Sequence, residues 1–378
     1  MQVVYLVLLF LIAYSYVIYP IISFMVSRFR KIKTLSYHYP EITIVIAAYN
    51  EIEYIAQKIE NTLALDYPPE LLKVLVVTDG STDGTEQMIF SDQRIQSMHL
   101  AERKGKAAAL NRAFSQIKKG VVICTDANTM LNKIAIKELV KHFQDPGIGA
   151  VAGEKRLEDN SKGAVAENYY WKYESQLRQW DSLIYAVPGA AGELFAIQRD
   201  CFTPISEDTV CDDLLITMQV LEQGKRVIYE PLAYGVEKAS VDIAGEWKRK
   251  CRIAAGNMQF MLRFNMIRFM LQYPLAAFQL FSRKIVRWLI VPYCILALFI
   301  VGIILWIAEP TGILLGLVYV QTIFFTWALL GLLLLKHRRL PSTVFFAFYF
   351  MMANSAMIVG GLRYLKGDSF VLWEKVRR

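Results

Sequence analysis

EITIVIAAYNE (41–51), LLKVLVVTDGSTDGT (71–85) and VVICTDANT (121–129) repeat one pattern: an apolar, β-branched run that ends abruptly in polar and small residues. Such β-rich apolar runs read as strands. They place strands at Ile42–Ala48, Leu72–Thr78 and Val121–Thr125, with helical patterns between them at Glu53–Leu65 and Lys104–Lys118. Strands alternating with helices predict an α/β, Rossmann-like domain with a mainly parallel sheet. Residues 41–258 are enough chain for one large core. Ligands of such sheets sit beyond the carboxyl ends of the strands. Tyr49-Asn50-Glu51, Asp79-Gly80-Ser81-Thr82-Asp83 and Asp126-Ala127-Asn128 should therefore meet at one crevice. No P-loop pattern occurs, and no complete G-x-G-x-x-G follows the first strand, which weighs against an ordinary NTPase or dehydrogenase.

Outside this middle the chain is greasy. Of 378 residues 55% are hydrophobic, and the mean hydropathy is +0.32. Val3–Val26 is an apolar run long enough to span a bilayer, without the basic start or small-residue cleavage site of a signal peptide. Arg28, Arg30, Lys31 and Lys33 follow it, so the positive-inside rule puts this end in the cytoplasm. Further apolar runs lie at 286–308, 312–335 and 343–362. Glu309-Pro310-Thr311 joins the first two, and Lys336-His337-Arg338-Arg339 joins the last two. A full last crossing would put Arg363, Lys366, Lys375, Arg377 and Arg378 outside, so either that run re-enters or the tail is an exception. In Phe260–Trp288, Arg263, Arg268, Arg283, Lys284 and Arg287 interrupt Phe, Met, Leu and Trp, a mix that favours helices lying in the interface. The expected division is an anchor (1–27), a cytoplasmic domain (28–258), interface helices (259–285), transmembrane helices (286–365) and a tail (366–378).

The net charge of +8 comes with no nucleic-acid motif, and a membrane surface is the better match. Five cysteines (Cys124, Cys201, Cys211, Cys251 and Cys294) fit neither a metal knuckle nor a disulfide framework; the four in the middle suit a reducing compartment.

Seven blocks in fixed order carry the chemistry: IVIAAYNE (44–51), VVTDGSTDGT (76–85), RKGKAAALN (103–111), CTDANT (124–129), GAAGELFAIQR (189–199), CDDL (211–214) and RKCRIAAG (249–256). Together they resemble the family-2 inverting glycosyltransferases, particularly membrane polysaccharide synthases and glycolipid-forming enzymes. The resemblance covers nearly the whole chain. It implies a nucleotide-sugar-binding domain of the GT-A type and a donor site at Ala48, Tyr49, Asn50 and Glu51, where Asn50 and Glu51 are able to hold a ribose. By the same resemblance, Asp79 accepts the N–H of a uracil-type base, although Gly80–Gly84 also reads as a turn with a helix N-cap. Lys106 opens a helix, where phosphate oxygens are attracted, and the resemblance sets it near the diphosphate; an idle exposed lysine is the alternative.

Asp126-Ala127-Asn128 stands where the family has Asp-x-Asp, which implies Mg²⁺ or Mn²⁺ bound by Asp126, with Asn128 supplying a neutral oxygen. Asp212-Asp213 matches the acidic doublet whose second acid deprotonates the acceptor, though acids at a helix start also stabilise it. At the membrane, Arg249, Arg252 and Ile253 occupy the Gln, Arg and Trp places of Gln-x-x-Arg-Trp. Arg252 remains to hold the diphosphate, while the aromatic platform is gone, which puts processive growth in question.

The expected activity is inverting transfer from a nucleotide-sugar, most simply a UDP-sugar, to a growing polysaccharide or lipid acceptor at the plasma membrane. Alternatives are a polyprenyl-phosphate glycosyltransferase and an inactive membrane scaffold. Nucleic acid is not an expected partner.

Overall fold

A computed structural model describes residues 1–30, 35–158, 162–238, 243–308, 312–334 and 341–370, with 162–169 as backbone only. Lys31 and Lys33, the connections Glu309-Pro310-Thr311 and Lys336–Arg339, and Lys375, Arg377 and Arg378 lie outside the described residues.

Among the described residues, eight strands form one sheet: β1 (Ile42–Ala48), β2 (Leu72–Asp79), β3 (Ile95–Leu100), β4 (Val121–Asp126), β5 (Met130–Leu131), β6 (Ile148–Glu158), β7 (Leu194–Gln198) and β8 (Arg226–Lys238). Their order is β3-β2-β1-β4-β7-β6-β8-β5. The half from β3 to β4 is parallel, β7 runs antiparallel to both β4 and β6, and β6 and β8 are parallel. In register, Ala48 lies opposite Thr78 and Ala47 opposite Asp126, so β1, β2 and β4 end level with one another. That levelness brings three polar clusters, far apart in sequence, to one edge.

Helices cover both faces, which is why the strands read as unbroken apolar runs. On one side Val45, Leu75, Val77 and Val122 pack with α3 (Lys106–Gln116) and α6 (Asp212–Glu222). On the other, Ile44, Ile46, Val76 and Ile123 pack with α2 (Ile55–Leu63) and α4 (Ala135–Val140). α5 (Lys162–Ile184) and α7 (Ile243–Arg263) carry the domain toward the apolar helices, with α8 (Met266–Gln272) after them.

Among the described residues, four helices are long and apolar enough to cross a membrane: α1 (Gln2–Ser27), α9 (Pro274–Ile307), α10 (Gly312–Leu333) and α11 (Ser342–Leu365). Tyr5 of α1 packs with Leu298, Val301 and Leu305 of α9 and Val318 of α10. The interfacial pattern expected over Phe260–Trp288 divides in two. Through α8, Leu262, Ile267 and Leu271 are 62, 75 and 81% exposed, beside exposed Arg268. Arg263 is tied to Asp208 at 2.6 Å. From Pro274 onward the chain is instead the first part of α9, and Arg283 and Arg287 are buried.

These arginines are buried because acids of α5 meet them. Arg283 donates to Glu174 at 2.8 Å and lies 3.2 Å from Asp181, and Arg287 also donates to Glu174. Tyr19 of α1 donates to Asp181 at 2.6 Å. Gln279 donates to the Asp181 carbonyl at 2.9 Å and accepts the Ala186 amide at 3.1 Å. A π-helical stretch, Phe281–Ile290, presents these cations; such stretches gather at functional sites. Glu174 is buried against its ionisation, yet Arg283 and Arg287 pull it well below the usual carboxylate range. Glu174→Ala would leave the buried Arg287 guanidinium without its carboxylate and Arg283 with Asp181 alone, and should cost about 3–5 kcal/mol of stability, read as a lowered unfolding temperature in detergent. An unchanged temperature would show that the arginines reach water.

Candidate functional site

The crevice starts where β1 and β2 end. Asn50 adopts φ +54°, its side-chain oxygen accepts the Thr82 amide at 2.8 Å, and its own amide donates to Ser81 Oγ at 3.1 Å. The Glu51 amide donates to Thr85 Oγ1 at 2.9 Å, and the Ile52 amide to Asp83 at 3.2 Å. The two loops are thus laced together before any ligand arrives. Ala48 is 2% exposed and belongs to the core, so it offers a ligand only its backbone. The Arg103 guanidinium lies flat over the Tyr49 ring at 3.6 Å.

Asp79 is 1% exposed and already engaged. Its carboxylate accepts the Lys104 amide at 3.1 Å, the Gly105 amide at 2.6 Å and Arg112 Nη2 at 3.1 Å. It holds the RKGK loop and the start of α3 in place, a structural task that the sequence reading did not foresee. Any contact with a base would be added to these bonds. Gly80, at φ +68°, permits the arrangement, since a Cβ there would sit 2.7 Å from Arg103 N and Cβ.

The phosphate end is built round Lys106 at the start of α3. Its Nζ donates to Asp126 at 2.6 Å and to the Gly192 carbonyl at 3.5 Å, and lies 3.8 Å from Asp212. Burial opposes the charge on Lys106, but Asp126, Asp212 and Asp213 together raise its pKa, so it stays protonated. Burial pushes the Asp126 carboxyl above the usual range against the pull of Lys106. Asn128 is half-buried in the turn after β4. Asp213 is pushed up to about 6, first by burial and then by the adjacent charge of Asp212. The structure therefore brings Lys106, Asp126, Asp212 and Asp213 together.

Behind Asp126 runs a buried polar chain that carried no recognisable motif. Fully buried Lys58 donates to Thr125 Oγ1 at 3.0 Å and to the Thr129 carbonyl. Thr129 Oγ1 donates to Glu237, which Lys155 meets at 2.8 Å, and Lys155 also reaches Glu193. Burial lowers Lys58 to about 7, with Asp126 and Glu237 opposing that shift. The one available signal for Lys58 was its place among Ile55, Ile59 and Thr62, on the apolar face of α2.

On the side of the apolar helices lies α7. Arg249 donates two bonds to Glu246, at 2.8 and 3.0 Å, and Tyr349 of α11 donates to the same carboxylate at 2.9 Å. Arg252 is half-buried, and its charge acts on Cys211 at the start of α6. Trp247 packs with Phe348, Tyr349 and Met352, so it does not replace the aromatic platform missing at Ile253. Among the described residues no group of three or more His, Cys, Asp or Glu side chains is gathered to hold a metal, which leaves Asp126 and Asn128 as the protein's oxygens at the end of β4. All five cysteines are free.

Residues 43–203 match the family model Glycosyl transferase family 2. The poly-β-1,6-N-acetyl-D-glucosamine synthase of Staphylococcus aureus is 29% identical over 231 residues, covering 59% of this chain and 56% of that protein. The synthase of the same name from Staphylococcus epidermidis is 25% identical over 246 residues, 63% of this chain and 59% of that protein. The chain thus spans little more than half the length of the curated relatives it matches. A solved mannosyltransferase from Pyrobaculum calidifontis, in complex with GDP-Man and Mn²⁺, shares the fold with a TM-score of 0.72 at 22% identity, over 96% of this chain and 99% of that one. Residues 43–203 thus carry the match to the family-2 glycosyltransferase model, in a chain with the GT-A fold of that neighbour and, among the described residues, four helices long and apolar enough to span a membrane.

The bonds of Asp79 generate a test. Asp79→Ala should free the Lys104 and Gly105 amides, speeding hydrogen exchange across 103–106 and lowering stability by about 2 kcal/mol. Unchanged exchange in that loop would refute the holding role.

Proposed function

We propose that this chain transfers a sugar, with inversion, from a UDP-sugar to a hydroxyl of a membrane-associated acceptor, a growing polysaccharide or a glycolipid. The observation that carries the reading is the half-buried Asp213 carboxyl, beside a protonated lysine and next to the level ends of the parallel strands. The names of the staphylococcal relatives favour an N-acetylhexosamine donor and a polymer acceptor. The basic residues Arg28 and Arg30 after α1 support a cytoplasmic crevice.

The donor's ribose would lie over Asn50 and Glu51, and its diphosphate by Lys106 and Arg252. Asp126 and Asn128 present hard oxygens, the donor set that Mg²⁺ or Mn²⁺ prefers. A bound cation would neutralise charge on the departing nucleoside diphosphate. Lys106 holds the Asp126 carboxylate by a single ion pair, which an arriving diphosphate can exchange for its own contact with the lysine. Asp213 then takes the acceptor's proton as the new bond forms. With its pKa raised to about 6, it is ionised at neutral pH yet a better base than an ordinary aspartate.

Asp213→Asn keeps the shape and removes the base, so transfer should fall at least about 100-fold while donor affinity stays near wild type. The pH profile gives a second check. The reactive form is the ionised one, so the rate should fall about tenfold per unit below pH ~6 and level off above it. A wild-type transfer rate in Asp213→Asn would overturn the assignment, and a dead Asp212→Asn beside it would move the base by one residue. Asp126→Ala should abolish transfer and weaken donor binding, and a chelator should do the same to the wild type; full activity in excess chelator would defeat the metal reading. Asn128→Asp restores a second carboxylate and should retain activity.

A further inference from the structure

Helix α2 meets the turn after β4 with two side chains, Lys58 and Asn61, an i, i+3 pair on one helix face. Lys58 Nζ donates to Thr125 Oγ1 at 3.0 Å and to the Thr129 carbonyl. Asn61 exchanges two bonds with the backbone of Leu131: its Nδ2 donates to the carbonyl at 2.9 Å, and its Oδ1 accepts the amide at 2.8 Å. Thr125 stands just before Asp126, and Thr129 just after Asn128. The Thr129 amide donates to the Asp126 carbonyl at 3.2 Å and closes the turn between them. One ammonium therefore grips both flanks of Asp126-Ala127-Asn128, and Asn61 fixes β5 directly after it. On the far side, Thr129 Oγ1 donates to Glu237 of β8 at 2.5 Å, and Glu237 meets Lys155 at 2.8 Å.

As core filling, this arrangement would be a poor choice. Lys58 is 0% exposed and shares its helix face with Ile55, Ile59 and Thr62, which are equally buried. An apolar residue at 58 would avoid desolvating a charge. The two hydrogen bonds that the Lys58 side chain makes among the described residues both go to the ends of one turn, the turn that presents Asp126 and Asn128. We propose that Lys58, assisted by Asn61, is a positioning residue for the diphosphate end of the crevice, holding the backbone of Asp126-Ala127-Asn128 so that its two side-chain oxygens stay set for a divalent cation. This rests on the metal reading given above and deepens it. Groups behind a metal ligand fix its orientation and thereby its affinity. Lys106 meets Asp126 from the crevice, where on that reading a diphosphate draws it away. Lys58 holds the turn from the core and stays.

The test uses the full-length chain in detergent with three readouts that need no turnover. Mn²⁺ binding in saturating UDP is followed by the electron paramagnetic resonance signal of the free ion. UDP binding in excess chelator reads the nucleoside end alone, and hydrogen exchange across 125–131 reads the grip itself. Lys58→Met keeps the length of the side chain and removes its donors. It should weaken Mn²⁺ binding about 10–100-fold, speed exchange across 125–131 and leave UDP binding in chelator unchanged. Thr125→Val removes one acceptor and leaves the lysine its bond to Thr129; it should shift Mn²⁺ affinity in the same direction by less, and it decides the matter if Lys58→Met does not fold. Wild-type Mn²⁺ affinity in the folded variants, even with a lowered unfolding temperature, would reduce Lys58 to a structural role and overturn the proposal. Unchanged exchange across 125–131 would overturn the grip, and equal loss of UDP binding in chelator would show a general loosening instead of positioning. A wild type that binds no Mn²⁺ would overturn the metal reading and this role with it, and that outcome shows before any substitution is made.

Discussion

One ammonium group organises the crevice. Lys106 stands at the start of α3 and touches the end of β4 through Asp126, the 189–193 loop through the Gly192 carbonyl, and α6 through Asp212. Without a cation between them, three carboxylates gathered in a poorly hydrated site would repel one another. A rigid cavity therefore needs the lysine even when no donor is present. The same pairing makes the site responsive. On the proposed reading a diphosphate would compete with Asp126 for Lys106, and charge bound at one end would release a carboxylate at the other. Holding and exchanging are one interaction in two states.

A second set of charges does for the membrane face what Lys106 does for the crevice. Glu174 and Asp181, both on α5, draw Arg283 and Arg287 of α9 into the interior and bind Tyr19 of α1. A buried ion pair is weak evidence for stability in itself, because desolvation offsets much of its attraction. Its worth here is positional. The amphipathic pattern that reads as an interface helix is, from Pro274 on, part of a helix long and apolar enough to cross a membrane, whose charged stripe is matched by α5.

The part of the fold written in local sequence was legible. β1 has the bounds its apolar run implied, and β2 and β4 extend by one residue each to include Asp79 and Asp126. β6 and β8 escaped notice because they pair with each other across the chain and form no repeated strand-then-cluster pattern. Of the residues named from motifs, Lys106, Asp126, Asp212 and Asp213 come together, yet the motif carries no account of what each side chain touches. Asp79 looks like a ligand group and is held by two backbone amides and an arginine. Lys58, Lys155 and Glu237 were invisible because a buried charge is recognised by its partners, and these lie as much as 179 residues apart, from Lys58 to Glu237. Trp247 could be placed near the membrane but not oriented, since only the packing of α11 decides which way it turns.

How the two charged systems keep register depends on small residues. α7 lies between them and is gripped at backbone distance from both sides. A Cβ on Gly256 would fall 2.4 Å from Cys211 Sγ, so α7 comes close to the residue just before the acidic doublet. A Cβ on Gly360 would fall 2.2 Å from the Cys251 carbonyl, so α11 approaches the same helix. Contacts this short leave little room to slide, because close-packed interiors shift between discrete arrangements rather than deforming smoothly. The position of Asp213 relative to the membrane helices is thereby fixed through one element. Lys106 holds the crevice together at β4, α6 and the 189–193 loop, and α7 ties it to α11 through the close approaches at Gly256 and Gly360.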